Sequence, residues 1–169
     1  MRTLYVLRHA KSDWGDASLR DFDRPLNGRG RKAATAVGRE MHERGLTPDL
    51  VLLSPSARTT ETLARVEKGF GASFEKVEKP AIYLAEAGTL LDLIRCAPAN
   101  AEHLMVVGHN PGMQELVRAL AKEPRDLLEE AGAKFPTGAL VEIRFDVGDW
   151  PDVSPGSGSI RSFLKPREL

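Results

Sequence analysis

The fold of this chain is decided by the stretch from Thr3 to Ala10, which reads TLYVLRHA. Its first five residues are β-branched, aromatic or aliphatic and do not alternate with polar residues. That pattern is typical of a strand buried on both faces of a parallel sheet. Two later stretches, Leu50–Leu53 and Leu104–Val107, have the same character, and each is followed by a small polar residue or a glycine. The sequence therefore predicts three buried strands.

Helical patterns lie between these predicted strands. Ala33, Val37 and Met41 repeat at the spacing of one helix face. Asn27 is a residue type that caps helix N-termini, and Gly45 is one that ends helices. Together these residues predict an amphipathic helix between the first and second strands.

Two further helices are predicted to begin at a polar residue followed by proline, with the polar residue as N-cap and the proline as the first helical residue. These pairs are Ser54-Pro55 and Asn110-Pro111, and apolar residues at helical spacing follow each pair. A shorter helix is predicted over Ala87–Arg95, where apolar residues keep the same spacing. Strands and helices therefore alternate along most of the chain.

The last part of the chain changes to extended patterns. Leu140–Phe145 and Ile160–Leu164 are separated by a stretch rich in Gly, Pro and Ser over residues 148–158, which predicts a closing β-hairpin. The whole pattern predicts one α/β domain over residues 1–169. We expect a three-layer sandwich with a mainly parallel central sheet, helices on both faces and a C-terminal β-hairpin.

Composition excludes several classes of protein. The chain has 24 Lys and Arg against 24 Asp and Glu, so no overall field would draw it to nucleic acid or to an acidic membrane. The single cysteine, Cys96, cannot form an internal disulfide, and no Cys/His spacing indicates a metal site. The N-terminal apolar run is too short for a signal peptide or a membrane span. We therefore expect a soluble, unprocessed cytoplasmic protein with no nucleic-acid or membrane partner.

The residues that follow the predicted strands carry the chemistry. Arg8 and His9 end the first strand, Arg58 lies shortly after the second, and His109 follows the third. Taken singly, Arg58 is typical of a solvated helix residue and His109 of a hydrogen-bonded histidine at a strand end. Because ligands bind beyond the carboxyl ends of strands in α/β sheets, the joint pattern indicates one site.

Three motifs of the chain resemble those of the histidine phosphatase superfamily, whose fold is also called phosphoglycerate mutase-like. They are LYVLRHAKSDW at residues 4–14, LLSPSARTTET at 52–62 and VVGHNPG at 106–112. Three more segments are similar to the SixA-like phosphohistidine phosphatases. They are DRPLN at residues 23–27, YLAE at 83–86 and FPTGA at 135–139. The resemblance covers roughly residues 3–166.

The resemblance implies a metal-independent phosphatase without a cofactor. His9 would be the nucleophile and would carry the phosphoryl group as a covalent intermediate. Arg8 and Arg58 would bind the phosphoryl oxygens, because a guanidinium presents forked donors and stays charged. Those cations would also lower the pKa of His9, which must attack as the neutral imidazole. His109 would be the second histidine, in contact with the transferring group.

The sequence also suggests roles for residues other than the four just named. Glu86 is either the proton donor for a leaving alkoxide or simply the cap of the helix that follows it. Ser12 is either a phosphate ligand or a turn serine, and Asn110 is a further candidate for substrate binding. Arg24, with Asp23, either places the loop over residues 11–26 across the site or forms an exposed salt bridge of about 0 to 1 kcal/mol.

Three functions remain open at this point. The first is hydrolysis of phosphohistidine on a protein, or of a small phosphomonoester, by a monomer. The second is a phosphoglycerate mutase or a phosphatase of small sugar phosphates, although mutases of this superfamily usually carry longer insertions than this chain has. The third is a phosphate-binding module without turnover. A protonated imidazole is a good leaving group, so a weak or absent acid favours phosphohistidine.

Overall fold

The predicted apolar strands form the centre of a seven-stranded sheet in the computed structural model, which describes residues 1–169. The strands are β1 (Arg2–Arg8), β2 (Leu50–Leu53), β3 (Lys76–Glu78), β4 (His103–Gly108), β5 (Ala121–Glu123), β6 (Leu140–Phe145) and β7 (Gly158–Leu164). The helices are α1 (Gly28–Arg44), α2 (Ala57–Phe70), α3 (Ala87–Arg95), α4 (Gly112–Leu120) and α5 (Arg125–Ala133). Four short 3-10 turns complete the regular structure, at Asp21–Asp23, Pro80–Ile82, Trp150–Asp152 and Pro166–Glu168.

The strand order is β3-β2-β4-β1-β6-β7-β5. The first four strands in this order run parallel, β6 is antiparallel to both β1 and β7, and β5 is parallel to β7. Because β4 lies between β1 and β2, the carboxyl ends of the three strands meet. Arg8 pairs with Gly108, and Leu53 pairs with Val107. The predicted mainly parallel sheet with a C-terminal hairpin is confirmed.

Helices cover both faces of the sheet, which gives the three layers. Alternate residues of a strand point to opposite faces. Leu4 and Val6 of β1 belong to the apolar cluster that includes α3 and α4, whereas Tyr5 and Leu7 belong to the cluster with α1 and α2. All four side chains are at most 1% exposed, which explains why β1 shows no polar alternation.

Helices α1 and α2 touch backbone to backbone at two glycines. A Cβ atom on Gly38 would lie 2.0 Å from the carbonyl oxygen of Val66, and one on Gly69 would lie 2.0 Å from that of Thr35. Neither position accepts a side chain without separating the helices. Helix α2, which carries Arg58, is therefore fixed against α1.

The helix ends agree with the sequence at some positions and differ at others. The side chain of Asn27 accepts a hydrogen bond from the Gly30 N–H at 2.8 Å, and Gly45 ends α1 with φ of 69°, as predicted. The predicted N-cap role of Ser54 is wrong, because Ser56 caps α2. Helix α4 likewise begins at Gly112, one residue later than the Asn-Pro signature predicts.

Candidate active site

Two buried histidines lie side by side at the carboxyl edge of the sheet. His9 follows β1 and His109 follows β4, and their ring centroids are 5.4 Å apart. The backbone N–H of His9 donates to the carbonyl oxygen of Gly108 at 3.0 Å, so the first histidine is tied to the strand that carries the second. The side chains are 7% and 3% exposed.

The hydrogen bonds of His9 fix its tautomer. Its Nδ1 lies 2.7 Å from the carbonyl oxygen of Ala10. A carbonyl only accepts, so Nδ1 carries the hydrogen and Nε2 carries the lone pair. The Ala10 N–H in turn donates to the Thr62 hydroxyl at 2.9 Å, and that hydroxyl donates to the carbonyl oxygen of Arg58 at 2.6 Å. The ring is thus oriented by helix α2.

Burial keeps both imidazoles neutral. It is the largest cause that lowers the pKa of His9 to about 4, with Arg58 and Arg8 adding to it and the hydrogen bond to Ala10 opposing it. Burial, Arg58 and then His9 lower the pKa of His109 to about 3. At neutral pH, His9 therefore has a free lone pair at Nε2, as a nucleophile requires.

His109 has one nitrogen satisfied and one free. Its Nε2 lies 2.8 Å from the hydroxyl of Ser54, which is fully buried. Its Nδ1 has no partner. When the Ser54 hydroxyl donates to Nε2, Nδ1 carries the hydrogen and is a donor for a bound anion. Because the Ser54 hydroxyl is bonded to His109, it does not cap α2.

Arg8 and Arg58 also have a free donor each. Nη1 of Arg8 donates to the carbonyl oxygen of Phe135 at 2.9 Å, while its Nε has no partner. Nη1 of Arg58 donates to the backbone oxygen of Asp21 at 2.7 Å and Nη2 to its carboxylate at 3.0 Å, while its Nε has no partner. These two Nε atoms and Nδ1 of His109 are the only buried side-chain N or O atoms in the protein that lack a hydrogen-bond partner.

Asp21 is the site residue that the sequence did not reveal. Besides Arg58, its carboxylate accepts from Nη1 of Arg24 at 2.8 Å and from the hydroxyl of Tyr83. The Tyr83 hydrogen bond is the largest cause that lowers the pKa of Asp21 to about 2, with Arg58 also contributing, so this carboxylate is ionised. Asp23, for which the sequence left open a role in placing the loop or an exposed salt bridge with Arg24, pairs at the surface with exposed Arg20.

The cavity between these groups has a volume of about 340 Å³. It is lined by Arg8, His9, Lys11, Ser12, Trp14, Arg24, Arg58, Leu84, His109, Asn110 and Thr137. The structure thus brings together all the residues predicted for catalysis or substrate binding except Glu86. Ser12 is buried and accepts from Nε of Arg24 at 3.3 Å, and Nδ2 of Asn110 donates to the carbonyl oxygen of Phe135 at 3.2 Å.

Glu86 lies elsewhere. It is exposed, does not line the cavity, and makes no capping hydrogen bond although it occupies the N-cap position of α3. Leu84 lines the cavity in place of a carboxylate and has a φ of 54°, a left-handed conformation uncommon for leucine. Of the two predicted places for Glu86, the structure shows the N-cap position of α3, without a capping hydrogen bond, and not the cavity.

The loop over residues 11–26 forms the outer wall of the cavity. The Arg24 guanidinium lies 3.6 Å from the ring centroid of Trp14, which is 76% exposed. Arg24 thus joins the loop's tryptophan to Ser12 and Asp21.

Nowhere in the chain do three or more His, Cys, Asp or Glu side chains come together as a group that could hold a metal ion. None of the helices is both long and apolar enough to cross a membrane.

Known proteins are similar to this chain in sequence and architecture. The chain matches the family model of the histidine phosphatase superfamily (branch 1) over residues 4–82. A protein of Mycobacterium tuberculosis is 34% identical over 164 residues, which cover 95% of this chain and 100% of that protein.

Solved structures are similar over nearly the whole chain. SixA from Agrobacterium tumefaciens, a candidate phosphohistidine phosphatase, has 31% identity and a TM-score of 0.82, with 98% of each chain covered. SixA from Nakamurella multipartitia, described in the same way, has 28% identity and a TM-score of 0.83, with 98% of this chain and 96% of that chain covered. The chain therefore belongs to the histidine phosphatase superfamily and is a SixA-like phosphatase.

Proposed function

We propose that the protein hydrolyses phosphohistidine on a protein substrate and that His9 carries the phosphoryl group between the two halves of the reaction. One observation carries the proposal. The three buried side-chain atoms without partners belong to Arg8, Arg58 and His109, and all three residues line the cavity beside His9. Buried polar atoms rarely lack partners in folded proteins, so this group points to a ligand that supplies acceptors.

A phosphoryl group matches that requirement. It presents three peripheral oxygens, and phosphoryl transfer needs positive charge and fixed donors around them. Nε of Arg8, Nε of Arg58 and Nδ1 of His109 are three donors that are buried before the substrate arrives. Donors that are already fixed cost little reorganisation during the reaction. The same groups then bind the substrate and stabilise the transition state.

The reaction proceeds in two displacements. Nε2 of His9 attacks phosphorus, and the new N–P bond forms as the bond to the substrate's ring nitrogen breaks. The substrate reacts as the form protonated by solvent on its other ring nitrogen, so its imidazole leaves as a neutral ring. Water then attacks the phosphoryl group on His9, releases inorganic phosphate and restores the lone pair at Nε2.

The carboxylates near the cavity favour this leaving group over an alkoxide. An alkoxide needs a proton from the enzyme, as in the cleavage of most phosphomonoesters. Asp21 is held ionised by Tyr83, Arg58 and Arg24, so it accepts hydrogen bonds and does not donate a proton. Glu86 is exposed and outside the cavity. The exposed Trp14 at the outer wall also leaves the mouth open to a phosphorylated side chain of another protein.

Trapping the intermediate tests the proposal directly. A phosphoryl group on imidazole is stable in alkali and labile in acid. Incubation with labelled phosphohistidine peptide, followed by an alkaline quench, is expected to leave label on the fragment that contains His9. Brief acid treatment is expected to remove it.

Two variants serve as controls. His9→Ala is expected to trap no label. His109→Ala removes a donor but keeps the attacking nitrogen, so slow labelling at His9 is expected to survive. Label on His109 or Ser12, or turnover without any trapped label, would show that His9 is not the nucleophile.

A further inference from the structure

A second cavity adjoins the catalytic one. Its volume is about 290 Å³, and it shares Lys11 and Thr137 with the cavity that contains His9. On its far side, it is lined by Arg29 from the start of α1 and by Arg167 near the C-terminus. Three cations thus line a space that adjoins the catalytic cavity.

These cations have no partners within the protein. Lys11, Arg29 and Arg167 are exposed, and their side chains make no ion pair or hydrogen bond. The nearby Lys165, in contrast, is paired with both Glu130 and Glu168. In a chain with equal numbers of acidic and basic residues, this cavity therefore holds a local excess of positive charge.

The position of Arg29 increases that excess. It lies in the first turn of α1, where the helix dipole is positive and a cation is disfavoured. This first turn contains no Asp or Glu, and its only side-chain cap is the bond from the Gly30 N–H to Asn27. An anion bound beside Arg29 would offset this unfavourable interaction with the helix dipole.

Backbone contacts fix the second cavity relative to the nucleophile. Gly138, next to Thr137, donates its N–H to the carbonyl oxygen of His9 at 2.9 Å. The carbonyl oxygen of Lys11 accepts from the Asn27 N–H at 3.0 Å. A Cβ atom on Gly30 would lie 2.1 Å from that same oxygen, so α1 packs directly on the Lys11 backbone. A group bound in the second cavity would thus sit at a constant place relative to His9.

We infer that the second cavity binds a carboxylate from an acidic residue that flanks the phosphohistidine of the protein substrate; this inference rests on the proposed function. The cations are long and exposed, which suits the mobile acidic side chains of a protein surface. They do not enclose a small metabolite, because no buried donor lies among them. Such exposed contacts are individually weak, so the cavity would act as a specificity element and not as the main source of affinity.

Matched peptides test the inference. Two phosphohistidine peptides differ only in carrying Glu or Gln beside the phosphorylated residue, and kcat/KM is measured at low salt for each. Wild-type protein is expected to prefer the Glu peptide by about fivefold. The double variant Arg29→Gln with Arg167→Gln is expected to lose the preference. Lys32→Gln with Arg39→Gln, two exposed cations of α1 outside both cavities, is expected to keep it.

A second readout separates this inference from the proposed function. The same two peptides without phosphate are tested as inhibitors of aryl phosphate hydrolysis. The Glu peptide is expected to inhibit wild type and the Lys32/Arg39 control more strongly than the Gln peptide, but not the Arg29/Arg167 variant. Equal inhibition by both peptides in wild type would overturn the second cavity as an anion site. Failure to cleave either phosphohistidine peptide, with aryl phosphate still hydrolysed, would instead overturn the proposed substrate.

Discussion

The site has two halves, one at the strand ends and one on the loop over residues 11–26, and different interactions hold each half in place. His9 and His109 sit on neighbouring parallel strands, are almost fully buried, and are oriented by hydrogen bonds to buried partners. The opposite wall, over residues 11–26, combines backbone hydrogen bonds at its base, such as that from Asp13 to Pro25, with contacts of Arg24 to Trp14, Ser12 and Asp21. Buried hydrogen bonds are little affected by salt, whereas exposed ion pairs are screened.

The two halves of the site therefore have different tasks. The strand ends hold the reacting groups in one geometry before a substrate arrives, which is what transition-state stabilisation needs. The loop half adds ion pairs in which Asp21 is partly exposed, and such pairs are individually weak. Arg58 belongs to both halves, since its helix is packed in the interior while its guanidinium is bonded to Asp21 of the loop.

Acidification is expected to have the largest effect and to act on the strand-end half. The folded pKa values of His9 and His109, about 4 and about 3, lie below the unfolded value of 6.5. As pH falls below 6.5, His9 and His109 become protonated in the unfolded chain but stay neutral in the folded protein. The free energy of unfolding is therefore expected to fall by up to about 1.4 kcal/mol per pH unit for each ring until pH approaches 4.

Urea unfolding at pH 7, 6 and 5 measures this dependence. The double variant His9→Gln with His109→Gln is the control, and its unfolding free energy is expected to change less over the same range. Equal pH dependence in wild type and double variant would mean that folding does not lower the pKa values of the two imidazoles.

Replacement of Arg58, which belongs to both halves of the site, is expected to have the next largest effect. Arg58→Lys keeps the charge but loses the forked donors, including the free Nε. We expect kcat/KM to fall by about thirtyfold or more, equivalent to about 2 kcal/mol of transition-state stabilisation. Arg65→Lys, further along the same helix and outside the cavity, is the matched control and is expected to be unaffected. Near-normal activity of Arg58→Lys would remove Arg58 from the phosphate site.

Neutralisation of the loop carboxylate is expected to have a smaller effect. Ionised Asp21 competes with phosphate for the guanidinium groups of Arg58 and Arg24. Asp21→Asn is expected to lower the inhibition constant of inorganic phosphate by about threefold, since this partly exposed pair is screened by solvent. Asp23→Asn changes the neighbouring carboxylate, which pairs only with exposed Arg20, and is expected to leave the constant unchanged. Weaker phosphate inhibition in Asp21→Asn would show that Asp21 supports anion binding and does not oppose it.

Treatment with chelator is expected to have no effect, because the proposed site supplies its positive charge from arginines of the strand-end half and of α2. Hydrolysis of an aryl phosphate is measured with and without excess chelator. Activity that vanished with chelator and returned with magnesium would contradict the proposed mechanism.

The strand-end half could be predicted from the sequence, whereas the loop half could be predicted only in part: Ser12 and Arg24 line the cavity, but Asp21 was not among the candidates. β1, β2 and β4 are buried on both faces, so their apolar runs are uninterrupted and the residues that follow them are easily recognised. Helix α3 has the predicted bounds because its apolar spacing is regular. β3 is three residues long and wholly exposed, so it leaves no hydrophobic pattern, and β5 is equally short.

Asp21 and Ser54 show why part of the site stayed hidden. Asp21 meets Arg58 and Tyr83 only through tertiary structure, and no periodic pattern marks such a contact. The one local signal is its spacing of three residues from Arg24, with which it forms an ion pair. Ser54 stands before a proline, the usual signature of a helix start, but its hydroxyl is bonded to His109, which follows the neighbouring strand β4 and is far away along the chain.

The place of β4 in the sheet also governs how the enzyme is made. β4 lies between β1 and β2 although it follows both in the chain. During synthesis, β1 and β2 therefore have no partner between them until residues 103–108 have left the ribosome, and their edges stay open to other chains. Such non-local pairing slows folding and prolongs exposure to aggregation. The nascent chain contains His9 and Arg58 early, but it lacks His109 until the strand before that residue has been made.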